Sequence, residues 1–182
     1  GVPLVAGNIV LEIRRKTLEK PEIYLGLETE VRISEQMPVG ESTGVDVPGQ
    51  LWKRYHMEKA SIAANLNTAV EMGMSHGEGV AQNLFTYFAG GLVQNIPDRL
   101  QDGFVKRELP AGEYIVCRVE AENFEDLVTV ALDQAGKYLF CIWLPHHNLT
   151  TEPFSAEKYY RDFEGMACME IWVKPLPLKN KG

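Results

Sequence analysis

The chain has 182 residues, 45% of them hydrophobic and 24% charged, enough to bury one good-sized core. A formal net charge of −7 opposes a phosphate backbone, which needs a basic patch to displace counterions, so nucleic acid is not expected as a direct partner. No apolar run reads as approaching the roughly 18–20 residues that cross a bilayer, no signal peptide is evident, and Cys117, Cys141 and Cys168 form no CxxC pair. The expectation is a soluble, cytoplasmic protein with three buried free thiols, no membrane partner, no metal and no cofactor.

In chain order, 9-IVLEIRRKT-17 and 23-IYLGLETEV-31 read as an opening pair of strands, with Pro21 preventing a helix between them. The Gly-, Ser-, Pro- and Asp-rich stretch 38–50 reads as a loop, and Pro48 to about Asn65 as a helix. Residues 67–82 show a mixed pattern, and 83-NLFTYFAGGLV-93 suits a buried strand. The order then repeats: 104-FVKREL-109, a turn at 110–112, the strand 113-EYIVCRVEA-121, and a helix capped by Asn123. Gly136 is expected to interrupt that helix and Pro145 to end it, before strands at about Phe154–Tyr160 and Cys168–Lys174. The fold class is α+β: two pseudo-symmetric βαββ modules, about 9–93 and 104–175, forming an antiparallel sheet with two helices on one face and a ligand groove between them.

Alternation along a strand places Glu157 with Tyr159, and Cys168, Glu170, Trp172 and Lys174 together. If these strands pair, an acid among rings suits a flat organic cation, since rings stack on its faces and a poorly solvated carboxylate balances its charge. The plainer alternative is that Glu157 and Glu170 are solvated edge-strand acids beside core rings. Other constellations carry less. His146 and His147 would diverge on a strand, and His56 and His76 lack acids or thiols at ligand spacing. The run 73-GMSHGEG-79 lacks a P-loop ending and reads as a turn, and Ser75 beside His76 and Glu78 has no nucleophile elbow. Trp52, within 52-WKRYH-56, reads as core or groove wall.

Several short motifs in order, 51-LW-52, 87-YFAGGLV-93, 110-PAGEY-114, 142-IWLP-145, 156-AEKY-159 and 170-EIWVKP-175, resemble the GyrI-like small-molecule-binding family. This is the effector-binding domain appended to AraC-type and MerR-type bacterial transcription regulators. Glu157 and Trp172 stand about fifteen residues apart, as the family's F-E-x-Y and E-[IM]-[YW]-[IV]-P strands do. Ala156 replaces the usual aromatic residue and Lys174 precedes the proline, while the competing pair Phe163-Glu164 lacks the following tyrosine. The resemblance implies multidrug or effector binding of hydrophobic, planar, often cationic aromatic compounds. Glu157 would be the buried counter-charge, and Trp172, Tyr159, Trp143, Phe88, Trp52 and Glu170 complete the ligand-binding set. It also implies an alternative, a hydrolase of reactive cyclopropanoid compounds with Glu157 directing water. With no helix-turn-helix recognised before Ile9, a transcriptional role calls for a fused or separate DNA-binding partner; oligomeric state is not specified.

Overall fold

The computed structural model describes residues 3–32, 46–77, 84–161 and 167–179. Most of the predicted 38–50 loop, Glu78, and the pair Phe163-Glu164 fall outside these. The chain forms two units, residues 1–21 with 110–182, and residues 22–109. Each is an antiparallel sheet with a helix, so the class is mixed α+β.

In the first unit, β1 (Leu4–Ala6), β2 (Ile9–Leu18), β7 (Gly112–Ala121), β10 (Ala167–Val173) and β9 (Phe154–Tyr160) lie side by side in that order. β8 (Leu149–Thr151) and β11 (Pro175–Pro177) form a separate ribbon. In the second unit the order is β4 (Leu66–His76), β5 (Leu84–Val93), β3 (Glu22–Arg32), β6 (Val105–Leu109). The mixed pattern of 67–82 therefore contains a long strand, and Gly73–His76, expected as a turn, continue it.

The predicted opening strands exist but do not pair with each other. β2 pairs with β7, Leu18 opposite Gly112, whereas β3 pairs with β5 and β6, Glu22 opposite Leu109. The first strand of each sequence half thus sits in the sheet of the other half. Consecutive strands commonly neighbour each other, but here the 18–22 turn carries the chain from one unit to the other.

α1 (Val47–Glu58) starts at Asp46, whose side chain accepts a 2.9 Å hydrogen bond from the Gly49 amide, with Pro48 in the first turn where no donor is missed. A 3-10 segment, Lys59–Asn65, continues it to the predicted end. Leu51 and Tyr55 pack against Leu25, Leu27 and Ala89, with Ile62 and Leu66 closing the cluster.

The helix α2 (Phe124–His146) begins at Asn123, which accepts from the Asp126 amide at 2.8 Å, as expected. It runs through Gly136, correcting the predicted interruption there, and ends at His146, one residue after the predicted stop at Pro145. The chain leaves it at Asn148, in the left-handed conformation (φ 56°) with its amide donating to the Pro145 carbonyl at 3.0 Å. Leu127, Ala131, Ala135 and Leu139 are fully buried against Ile115, Cys117, Val119, Met169 and Ile171. A four-residue spacing drifts by about 40° per step on a 3.6-residue helix. The π-helical segments Leu127–Ala131 and Leu139–Trp143 underwind the helix and keep this stripe aimed at the sheet.

Because Val130, Phe140 and Ile142 are exposed on the same helix, α2 is apolar on both sides. It has 23 residues, and its most apolar 18-residue window has a mean hydropathy of 1.3, so it is long and apolar enough to cross a membrane by length and composition alone. A helix that packs a soluble core can meet the same measure. Cys117 and Cys168 are buried as expected, and burial pushes their thiols up to about 12 and about 11; Cys141 is exposed on α2 instead.

A Cβ at Gly26 would run into the Ala89 carbonyl oxygen on the neighbouring strand. Gly26→Ala is expected to lower unfolding free energy by about 2–3 kcal/mol, read as a shifted urea midpoint with unchanged slope.

Candidate functional site

Strand register decides which candidate residues meet. β9 and β10 pair so that Met169 faces Tyr159, Ile171 faces Glu157, and Trp172 faces Ala156. Side chains directly opposite share a face, so Glu157 and Tyr159 lie with Ile171 and Met169 on the side covered by α2. Trp172, Glu170 and Lys158 lie on the other side. Glu157 and Trp172 are therefore not opposing walls of one cleft: their fifteen-residue separation puts them on adjacent strands but on opposite faces.

On the helix side, Tyr159 donates its hydroxyl to Glu157 at 2.8 Å, and its ring is tilted against Phe124 at 6.3 Å between centroids. Tyr159, Tyr138 and Trp143 are partly buried against the same apolar cluster. Trp143 stacks on His147 at 3.9 Å, and His147 Nδ1 lies 2.8 Å from the Trp143 carbonyl oxygen. Glu157 as a residue keeps partial exposure, but protein surrounds its carboxyl group. Burial holds the carboxyl above the ordinary carboxylate range, and the Tyr159 hydrogen bond only partly offsets this by favouring the anion. The site offers aromatic edges, apolar floor and one costly negative charge.

The opposite face treats its acid differently. Glu170 is 2% exposed and accepts from Tyr160 Oη at 2.5 Å and Trp172 Nε1 at 3.1 Å, with Arg14 at 3.4 Å and Arg118 at 3.7 Å. It is not the solvated edge acid of the plainer alternative. Trp172 meets Tyr114 edge-on at 5.2 Å and carries Lys158 Nζ 3.7 Å from its ring centroid. Its face already holds a cation supplied by the chain, so this cluster is an internally balanced network.

In the second unit Trp52 and Phe88 also part company. Trp52 donates to Tyr87 Oη at 2.8 Å on the α1 side, whereas Phe88, next to Tyr87 in β5, points to the other face and is fully buried. Ser75 pairs with Tyr87 and His76 with Thr86 along β4, so these two neighbours point to opposite faces as well. Among the described residues no group of three or more His, Cys, Asp and Glu is placed to hold a metal. Sequence reasoning missed Phe124, Tyr160, Lys158 and Glu71; only the alternation around Tyr160 could have flagged any of them.

Antiparallel sheets each carrying a helix, with an enclosed acid among rings on one face, are the features to set beside known proteins. The chain belongs to the GyrI-like small molecule binding domain family, whose model matches residues 12–175. Among solved structures it is similar to SAV2435 bound to tetraphenylphosphonium, at 15% identity and a TM-score of 0.66, covering 93% of this chain and 97% of that one. It is also similar to an integron cassette protein from the mobile metagenome of Vibrio cholerae, at 14% identity and a TM-score of 0.60, covering 91% and 95%. The EcmrR C-terminal domain matches at 12% identity with a TM-score of 0.57, covering 92% and 98%. A search of curated proteins finds no match.

The raised carboxyl of Glu157 has a stability consequence. The folded chain keeps this proton to a higher pH than the unfolded chain does, so its stabilising contribution is complete below the ordinary carboxylate range and is lost as pH rises through the raised value. Glu157→Gln is expected to flatten that fall, and Tyr159→Phe to move it to higher pH. Urea midpoints between about pH 4 and pH 8 read both effects.

Proposed function

We propose that this chain binds hydrophobic, planar aromatic cations, with Glu157 as the counter-charge and Tyr159, Phe124 and Trp143 as aromatic surroundings. The observation that carries the reading is the enclosed carboxyl of Glu157 on the helix-covered face, held by Tyr159 at 2.8 Å. A carboxylate with so little water gains more from a diffuse organic cation than a solvated one does, because the cation brings charge at low desolvation cost. The rings around it add apolar contact for an aromatic body. Membership of a small-molecule-binding family supports the class, and the tetraphenylphosphonium in the SAV2435 structure supports the charge. A multidrug-sensing or effector-sensing role within a regulator is supported by the likeness to the EcmrR C-terminal domain. The EcmrR–DNA complex contains a chain of which this one covers 58%, so any DNA contact in such a system calls for a further partner or domain.

The raised carboxyl is also what a general base for hydrolysis requires, which keeps the cyclopropanoid hydrolase as the second reading. Product formation from strained electrophiles, lost in Glu157→Gln, distinguishes turnover from binding.

Titration calorimetry with tetraphenylphosphonium and an uncharged tetraaryl analogue tests the binding reading. Glu157→Gln is expected to weaken the cation by roughly 2–5 kcal/mol while leaving the neutral analogue little changed. Cation affinity should also fall as pH drops through the raised value of Glu157, since the protonated acid carries no charge. Equal loss for both ligands, or none for either, would remove Glu157 from this role.

A further inference from the structure

The second unit holds a cavity unconnected to any residue in the Glu157 argument. It has a volume of about 190 Å³ and lies between the end of α1, its 3-10 extension and the start of β4. Its shape comes from an irregularity in β4: pairing passes from Asn67 opposite Leu92 directly to Glu71 opposite Gly91, leaving Thr68, Ala69 and Val70 outside the ladder. The Asn67 side chain accepts from the Ala69 amide at 3.0 Å and braces that excursion. Gly91 completes it, since a Cβ there would come within 2.6 Å of Tyr55 Oη and 3.3 Å of Leu66.

The charges in this pocket are layered. The Glu71 carboxylate is only 6% exposed, while the two basic groups beside it sit at the rim: the Lys59 ammonium, Nζ at 3.4 Å and 39% exposed, and the His56 imidazole, Nδ1 at 3.7 Å and 36% exposed. Tyr55 presents its ring to Lys59 at 6.0 Å, and Ala60, Ala63 and Val70 add apolar wall. A buried acid with a loose, half-exposed lysine over it is an ammonium site occupied by a tethered side chain. Because a ligand's ammonium would take the place of the lysine's, the buried acid would keep a cation beside it while the half-exposed lysine returned to water.

We propose that this pocket is a second small-molecule site, taking a primary or quaternary ammonium on a body no larger than one ring, with Glu71 as its counter-charge and Lys59 as the group displaced. Size sets the upper limit: an apolar cavity of about 150 Å³ holds one benzene, so a four-ring cation is excluded. Depth sets the sign, since the acid lies inside and the Lys59 ammonium outside. An anion would have to pass its charge beside Glu71 or remain at the rim.

The test uses the full chain and benzylammonium, benzyl alcohol and benzoate, followed by amide shifts of Ala63, Leu66 and Gly91 and by calorimetry. Benzylammonium is expected to move those amides and bind about tenfold more tightly than the alcohol, and Glu71→Gln to remove that preference. Lys59→Met is expected to tighten benzylammonium by about threefold or more, because the competing ammonium is gone. Glu157→Gln should leave all of this unchanged, which separates the site from the one proposed above. Melting curves establish that each variant folds, and Lys59→Met tests the idea even if Glu71→Gln does not. Preference for benzoate, weaker benzylammonium binding in Lys59→Met, or no movement of Gly91 would overturn it.

Discussion

Everything at the candidate site depends on the two-residue alternation of a β-strand, and on the single register that joins β9 to β10. Ile171 opposite Glu157 and Trp172 opposite Ala156 assign two acids, three rings and a lysine to separate faces. A slip of β10 by one residue would turn its other side to the helix, placing Trp172 and Glu170 under α2 on the same face as Glu157. Burial of Met169, Ile171 and Val173 against the Leu127–Leu139 stripe makes that slip costly, because every large apolar group on β10's helix side would lose its partners. The packing of one helix therefore determines which acid lies beneath it.

Three glutamates show how differently a protein can hold the same charge. Glu170 is compensated from several directions by a phenol, an indole and two guanidinium groups, and stays nearly inaccessible. Glu71 has an ammonium and an imidazole beside it, both with ready access to water. Glu157 has a phenol hydroxyl, which favours the anion without supplying opposite charge. Compensation by opposite charge thus falls from Glu170 through Glu71 to Glu157. A site that must receive a charged molecule cannot already have balanced itself.

Much of the fold was legible because apolar period and breakers agree. The boundaries of β5, β6, β7 and β9, the Asn123 cap and the extent of α1 with its 3-10 tail follow from local pattern alone. β4 was not legible, since its bulge interrupts the alternation at Thr68–Val70 and a glycine and a serine obscure the rest. Gly136 misled for another reason: packing on the sheet outweighs a local propensity penalty of about 1 kcal/mol for glycine. Pro145 did mark the end of α2, to within one residue. At the site, Glu157 and Tyr159 were legible as neighbours on one face, and Glu170 with Trp172 on another. Their relation across β9 and β10 was not, because spacing along the chain gives distance between strands but not which residues stand opposite.

The strand exchange has a consequence for how such a chain can be assembled and altered. Glu22 and Leu109 are pairing partners, and so are Leu18 and Gly112, so the polypeptide departs from the first unit and returns to it at one narrow gateway. Residues 22–109 form an uninterrupted insertion into a host whose own strands come from both ends of the sequence. Topologically it is a cassette with its ends already side by side. The host, in contrast, closes its sheet only when β2, made first, meets β7, made after the whole insertion. The apparent tandem repeat in the sequence thus folds as one piece nested inside another, with the order of synthesis separating the host's two parts.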